Sequence, residues 1–274
     1  MSVLERLAVG ALIAGAISLC GRLMRALTWS GVVAAVLVGT LSFAFGGLAV
    51  AAAIVIFFVA GSALGRVRSG SADRARSIAA KGARRDAYQV IANGGIATLC
   101  AIAAGIASAD ARGAGPLIAA AICAVAAASG DTWSTEVGAF SQTAPRRVTD
   151  LRRVEAGTSG GVTLLGTIAA PVGGMLIGIA GLAARAVMPI GAWLGVTAAA
   201  GLAGSLIDSV LGATLQGQWR CPGCGRVQDA RCHRGCEMPG NLVSGVAWLD
   251  NDGVNAAATA AGACLGYLSA MAMH

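Results

Sequence analysis

Residues 31 to 65 carry no charged side chain. A single helix over that stretch would rise about 50 Å at 1.5 Å per residue, well beyond the roughly 30 Å of hydrocarbon in a bilayer, and only an extreme tilt would absorb the excess. The stretch therefore reads as two membrane spans joined by a break at Ser42 to Gly47. Similar apolar runs follow along the chain. Spans are predicted near residues 6–22, 31–46, 47–65, 88–108, 116–139, 161–184, 189–215 and 253–272. That makes eight, with seven as the alternative count.

Composition supports a bundle buried in lipid. Hydrophobic residues make up 56% of the chain and charged residues 12%, against roughly 25% charged in an average soluble domain. Helices without polar faces do not suit a soluble bundle. The 40 glycines follow no G-X-Y period, which excludes collagen, and fit the small-residue contacts of membrane helices. The predicted fold is an all-α, polytopic transmembrane helical bundle. It forms one integral membrane domain over residues 1–274, with a Cys-rich loop at 217–242 inserted between the last two spans.

The net charge of +7 is concentrated in three connectors. The first holds Arg66, Arg68, Arg74, Arg76, Lys81, Arg84 and Arg85, the second Arg146, Arg147, Arg152 and Arg153, and the third Arg220, Arg226, Arg231 and Arg234. The positive-inside rule places these loops in the cytoplasm. Eight spans then put both termini outside and Arg22 and Arg25 inside, whereas seven spans put the N-terminus inside. Arg22 and Arg25 also stand where a cleavable signal would need small residues. The expected location is the inner or plasma membrane of the cell, with the active-site loops cytoplasmic. No aromatics interleave with the basic residues, so a nucleic-acid partner is excluded.

Against this apolar background the segment Ser129 to Gly138, Ser-Gly-Asp-Thr-Trp-Ser-Thr-Glu-Val-Gly, sets Asp131 and Glu136 inside a span. A charge at that depth costs a few kcal/mol and calls for a cation, a substrate or a wet cavity as partner. Three further polar groups gather at span ends. Lys81, Arg84 and Arg85 precede a helix face bearing Asp86, Gln89 and Asn93, spaced three and four apart. Ser205, Asp208, Ser209, Gly212 and Gln216 form a polar stripe in another span, and Asn251 and Asn255 open the last one beside Asp250 and Asp252. Capping of that helix accounts for at least one of these two aspartates.

The connector after Asp131 and Glu136 leads through Arg152 and Arg153 into Gly157-Thr158-Ser159-Gly160-Gly161. A glycine-rich turn feeding a helix N-terminus offers free N–H groups and a positive dipole end to phosphate oxygens. Carboxylates, arginines and such a turn are what phosphoryl transfer requires, since its catalysis is mostly positioning and charge neutralisation. Asp131, Glu136, Asp208 and Asp250 would give Mg²⁺ the oxygen ligands it prefers.

Four of the 8 cysteines, Cys20, Cys100, Cys123 and Cys264, are scattered through spans as small apolar residues. The other four, Cys221, Cys224, Cys232 and Cys236, form a C-x₂-C, x₇, C-x₃-C set. In a cytoplasmic loop these thiols stay reduced, and the spacing fits a structural Zn²⁺ site, with His233 as a substitute ligand. A filled site of four thiolates has no open position, so it is read as separate from catalysis.

Taken together, Lys81 to Gly95, Ser129 to Gly138, Val154 to Gly166, Gly204 to Gln216 and Trp248 to Asn255 resemble the DUF92/TMEM19-like integral membrane family, whose members include the plant phytyl-phosphate kinase. The order of the motifs, Asp-Thr-x-x-Ser/Thr-Glu-x-Gly before Gly-Thr-x-Gly-Gly, carries the resemblance. It implies a kinase that converts an isoprenoid monophosphate to its diphosphate. A looser likeness reaches the dolichol kinase and CDP-diacylglycerol synthase groups, which implies CTP as the nucleoside triphosphate, with Mg²⁺. The implied catalytic residues are Asp131, Glu136 and Asp208. Lys81, Arg84, Arg85, Gln89, Asn93, Arg152, Arg153, Gly157, Thr158, Gly160, Gly161, Gln216, Asn251 and Asn255 would face phosphate. The basic loop lacks the usual Lys of those groups. Two other readings use the same carboxylates, namely nucleotidyl or phosphatidyl transfer to a lipid phosphate, and membrane transport. The expected partners are the bilayer, an isoprenoid phosphate and a nucleotide, and homo-oligomerisation is left open.

Overall fold

The break expected between Ser42 and Gly47 is made at Gly47, whose φ of 71° and ψ of −167° interrupt helix α2, Trp29–Gly70. A positive φ is open to glycine at little cost. In the computed structural model, which describes residues 1–70, 84–107, 111–182, 188–233 and 235–273, Gly31 packs on the Arg85 carbonyl and Gly61 on the Arg85 guanidinium. An unbroken helix would hold these two glycines about 45 Å apart. The chain therefore doubles back at Gly47, where the neighbouring Phe45 fills the space beside Gly105.

The other long helices are α1 (Val3–Leu23), α3 (Ala87–Ala107), α4 (Ala111–Gly138), α5 (Leu164–Gly181), α6 (Ile190–Thr214) and α7 (Asn251–Ala272). Seven helices among the described residues are thus long and apolar enough to cross a membrane, and the folding of α2 supplies an eighth rod. The connectors add short strands that hydropathy did not indicate. β1 (Arg146–Arg147) pairs antiparallel with β2 (Gly161–Val162). In the Cys-rich loop β3 (Gln218–Arg220) lies between β4 (Val227–Gln228) and β7 (Asn241–Ser244), while β5 (Cys232–His233) pairs with β6 (Met238–Pro239).

Helix α4 is the hub because small residues, mostly alanine, fill its middle from Ala119 to Gly130. Ala119 through Ser129 are buried without exception, and the glycines of its neighbours face it. Gly204 abuts Ala127, while Gly262 and Gly266 of α7 abut Cys123 and Ala119. Gly130 meets the backbone of Gly201, and a Cβ on Gly201 would also stand 2.7 Å from the Ala170 carbonyl of α5. Close backbone approach is how membrane helices gain packing where lipid is as apolar as they are. Gly201→Val is accordingly expected to destabilise the bundle by about 1–3 kcal/mol, seen as a lower unfolding midpoint in detergent. Two polar side chains inside the bundle find backbone acceptors, as lipid favours: Ser129 donates to the Gly173 carbonyl at 2.9 Å, and Trp193 Nε1 to the Gly178 carbonyl at 2.8 Å, whereas the buried Thr40 Oγ1 and Trp133 Nε1 have no hydrogen-bond partner among the described residues.

These contacts also fix which connectors share an end. Gly21 lies by Phe58 and Leu27, Gly61 by Thr132, Gly166 by Ser134, and Gly160 by Ser209 and Ala213. The connectors at 24–28, 84–86, 139–163 and 215–250 consequently meet at one end of the bundle. Both termini and the Gly47 turn lie at the other.

Candidate functional site

Helices α4 and α6 pack directly on one another, Gly130 on Gly201 and Ala127 on Gly204, and this brings Asp131 of α4 and Asp208 of α6 near enough for their charges to repel. Each sits about 10 Å, six or seven residues, inside the end of its helix where the connectors gather. Glu136 does not join them. Five residues on from Asp131 it has turned about 140° around the axis, toward Gly65, whose Cβ would be 3.9 Å from Glu136 Oε1. There it interacts with Arg85. The expectation of one site containing Asp131, Glu136 and Asp208 is corrected to a carboxylate pair, with Glu136 on the opposite flank of α4.

Arg85 works as a tie between helices. Its guanidinium lies over the rings of Phe57 and Phe58, 5.0 and 5.6 Å from their centroids. Its backbone joins the 24–28 connector, the N–H donating to Ala26 and the carbonyl accepting from Thr28. Burial pushes its pKa down to about 10, partly offset by Glu136. It remains cationic at neutral pH. Arg84 beside it is exposed, and Lys81 lies outside the described residues.

The amide groups line two adjoining helix entrances. Asp86 and Gln89 cap α3 reciprocally, with Gln89 N–H donating to Asp86 Oδ1 at 3.0 Å and Asp86 N–H to Gln89 Oε1 at 3.2 Å, the logic of a capping box. Asn93 Nδ2 donates to the Gln89 carbonyl, and Asn255 Nδ2 to the Asn251 carbonyl. Thr259 donates to the Ala92 carbonyl at 3.3 Å, which locks α7 to α3 one turn beyond Asn255. Asp250, expected among the Mg²⁺ ligands, instead caps α7. Its Oδ1 accepts from the N–H groups of Asp252 and Gly253, both at 3.0 Å.

The glycine-rich turn is pressed against α6. Gly160 has φ 76°, and a Cβ there would strike Ala213 and the Ser209 carbonyl, so the turn adjoins the helix that carries Asp208. Two of its amides are already engaged, Thr158 N–H with the Glu155 carbonyl and Gly161 N–H with the Thr158 carbonyl. Helix α5 starts only at Leu164, where Thr163 caps the Gly166 N–H. The cradle expected at the mouth of α5 is thus a turn packed on α6. Gly157 and Thr158 are exposed, as are Arg152, paired loosely with Asp150 at 3.8 Å, and Arg153.

In the Cys-rich loop the sulfurs of Cys221, Cys224 and Cys236 lie within 4.8 Å of one another. A tetrahedral Zn²⁺ with 2.3 Å bonds needs sulfurs about 3.8 Å apart, so these three fit the metal. Burial disfavours the Cys221 thiolate, but the N–H groups of Cys224 and Gly223 and the neighbouring thiols more than compensate and lower its pKa. Hydrogen bonding to Cys221 and Cys224 raises Cys236 to about 11. Cys232 is not among the three. The β5–β6 ladder pairs it with Pro239 and leaves it exposed, which corrects the set of four thiolates.

Sequence reasoning missed Asp229. It follows β4, accepts a hydrogen bond from Gln216 Nε2 at 3.4 Å, and acts electrostatically on Asp208. Gln216 itself is 4% exposed, so its amide is held in place. The 21-residue separation of Asp208 and Asp229 spans a helix end and a hairpin, and no periodicity connects them.

The architecture is that of a polytopic integral membrane protein with its polar groups collected at one end of the helices. Residues 12–263 match the profile of the integral membrane protein family DUF92, and the chain belongs to that family. It is 33% identical over 252 residues to Protein PGR of Arabidopsis thaliana, covering 84% of each chain. It is 32% identical over 216 residues to an uncharacterized membrane protein of Methanocaldococcus jannaschii, covering 79% of this chain and 86% of the relative. No solved structure matches.

Proposed function

We propose that the protein is a membrane kinase that phosphorylates an isoprenoid monophosphate, of the phytyl or prenyl class, to the diphosphate at the expense of a nucleoside triphosphate, with CTP the expected donor. The observation that carries this reading is the α4–α6 packing, Gly130 on Gly201 and Ala127 on Gly204, which brings Asp131 and Asp208 within electrostatic reach of each other beside a glycine turn packed on α6. Two like charges inside an apolar bundle need positive charge between them, and their hard oxygens suit Mg²⁺. When bound, Mg²⁺ supplies charge neutralisation and orientation of phosphate oxygens. Asp131 and Asp208 would hold it, and Gln216, fixed by Asp229, closes one side of the site. Arg152, Arg153 and Arg84, exposed at the same end, draw phosphates from water. The lipid phosphate is already an anion at neutral pH, so its oxygen can attack without a general base. The arginine-bearing connectors lie in the cytoplasm by the positive-inside rule.

Shallow placement favours a headgroup reaction over transport, whose sites lie near the bilayer midplane. Purified protein incubated with labelled CTP or ATP and a panel of prenyl phosphates should yield the prenyl diphosphate. Formation of a CDP-lipid would replace the kinase by nucleotidyl transfer, and absence of turnover with every donor would refute both. Arg153→Ala and Thr158→Ala should each raise KM for the phosphate-bearing substrate by about ten- to a hundredfold, the worth of a charge-assisted hydrogen bond of roughly 1.5–3 kcal/mol, with kcat less affected.

A further inference from the structure

Read from sequence, the Cys-rich loop stands apart from the membrane carboxylates; in the structure Asp229 connects the two. The route is short and each step is a contact. Helix α6 ends at Thr214, and Gln216 turns the chain into β3. At the far end of β3, Cys221 opens a tight turn in which its N–H donates to the Arg226 carbonyl and its carbonyl accepts from the Gly225 N–H. Gly225 takes φ 72° there. That turn lays β4 back along β3, with Trp219 opposite Gln228. The next residue, Asp229, is thereby returned to Gln216, whose Nε2 donates to its Oδ2 at 3.4 Å, and to Asp208, on which its charge acts. Arg231 holds the following stretch by lying over the Trp219 ring, 5.1 Å from its centroid. The turn is made of two of the three clustered thiols, Cys221 and Cys224, and Cys236 closes it from the β5–β6 hairpin. A loop of this size has little apolar interior of its own, so a metal held by the thiolates would fix its shape.

We propose that Asp229 is a positioning residue of the Asp131–Asp208 site, and that the Cys221, Cys224 and Cys236 cluster, when it holds its metal, sets Asp229 there. The loop is then a working part of the site: loss of its metal releases Asp229 and Gln216 and weakens the hold of the carboxylates on a divalent cation. This rests on the reading that Asp131 and Asp208 bind such a cation. The probe is Mn²⁺, whose binding to the purified full-length protein is followed by electron paramagnetic resonance, with zinc content and unfolding midpoint measured on the same samples.

Asp229→Asn keeps the shape and the capacity to accept from Gln216 but removes the charge. It should weaken Mn²⁺ binding about tenfold or more, as loss of a neighbouring negative charge does, with zinc content and unfolding midpoint unchanged. Asp229→Glu should recover part of the affinity, which a purely structural role would not produce. Cys224→Ser should lose zinc and weaken Mn²⁺ binding to a similar degree although no cysteine touches Asp131 or Asp208. If Asp229→Asn binds Mn²⁺ as the parent does while Asp131→Asn does not, the carboxylate site stands and the role of Asp229 is overturned. If Cys224→Ser loses zinc and binds Mn²⁺ normally, the coupling is overturned. A parent protein that binds no Mn²⁺ overturns the carboxylate metal site itself, and the positioning role with it.

Discussion

Asp131→Asn should lower prenyl-phosphate turnover by about two to three orders of magnitude, the scale seen when one preorganised electrostatic group is removed from an active site. The substitution preserves shape and deletes the charge that repels Asp208 across the α4–α6 contact. If the two carboxylates were there for the fold, removing one would cost stability. Here the opposite is expected, because relief of a half-buried like-charge pair stabilises a protein whose site is held under electrostatic strain. The unfolding midpoint of the metal-free variant should equal or exceed that of the metal-free parent, and added Mg²⁺ should no longer raise it, since only a ligand bound by the native state does so. Asp208→Asn should behave alike. Unchanged turnover in either variant, or a large fall in its metal-free midpoint, removes these residues from the site.

Glu136 offers an internal control for that claim. It is a carboxylate like Asp131 and lies in the same sequence motif, but it faces Gly65 and Arg85 rather than Asp208. Glu136→Gln is expected to weaken the tie between α4 and the Arg85 connector. The effect should appear chiefly as a lower unfolding midpoint, with Mn²⁺ affinity close to that of the parent.

The difference between these two acids shows which features were legible in the sequence. The break within residues 31 to 65 followed from length alone, because no bilayer accommodates one helix over that stretch, and Gly47 supplied it. The entrance of α7 was legible in part, since one of Asp250 and Asp252 was expected to cap it, whereas Asp86 and Gln89 were read only as a polar helix face and not as the reciprocal cap they form. The motif Asp131 to Gly138 marked the right stretch of α4, but spacing along one helix could not show that Asp131 and Glu136 point to different neighbours. That depends on which helices pack on either flank, and small-residue contacts such as Gly130 against Gly201 leave almost no signature in hydropathy. Asp229 was invisible for a related reason: its partner Gln216 is reached by a hairpin whose register is set by β3 pairing with β4. The cysteine spacing located the thiol cluster but not its membership, because the β5–β6 ladder leaves Cys232 exposed and outside the group of three.

Removal of the thiolate cluster should have the second large effect, and its consequences can be separated from those at Asp131. Elemental analysis of the parent should find about one zinc per chain, and the double variant Cys221→Ser, Cys224→Ser should contain none. Cys232→Ser should keep its zinc, since that sulfur lies outside the group within 4.8 Å. Zinc loss in Cys232→Ser would mean that the β5–β6 ladder rearranges to supply a fourth thiolate. In the double variant the loop loses the constraint that folds it, as small metal-ordered segments do, and proteolytic cleavage between residues 221 and 240 should become rapid. The helices should remain packed, because the glycine contacts around α4 involve no residue of the loop. Turnover should nevertheless fall, with the loss expressed mainly as a higher Mg²⁺ requirement rather than a lower ceiling at saturating Mg²⁺. Asp131 and Asp208 are still present in that variant, and only Asp229 and Gln216 have been set loose. Equal zinc content in the double variant and the parent would eliminate the thiolate site.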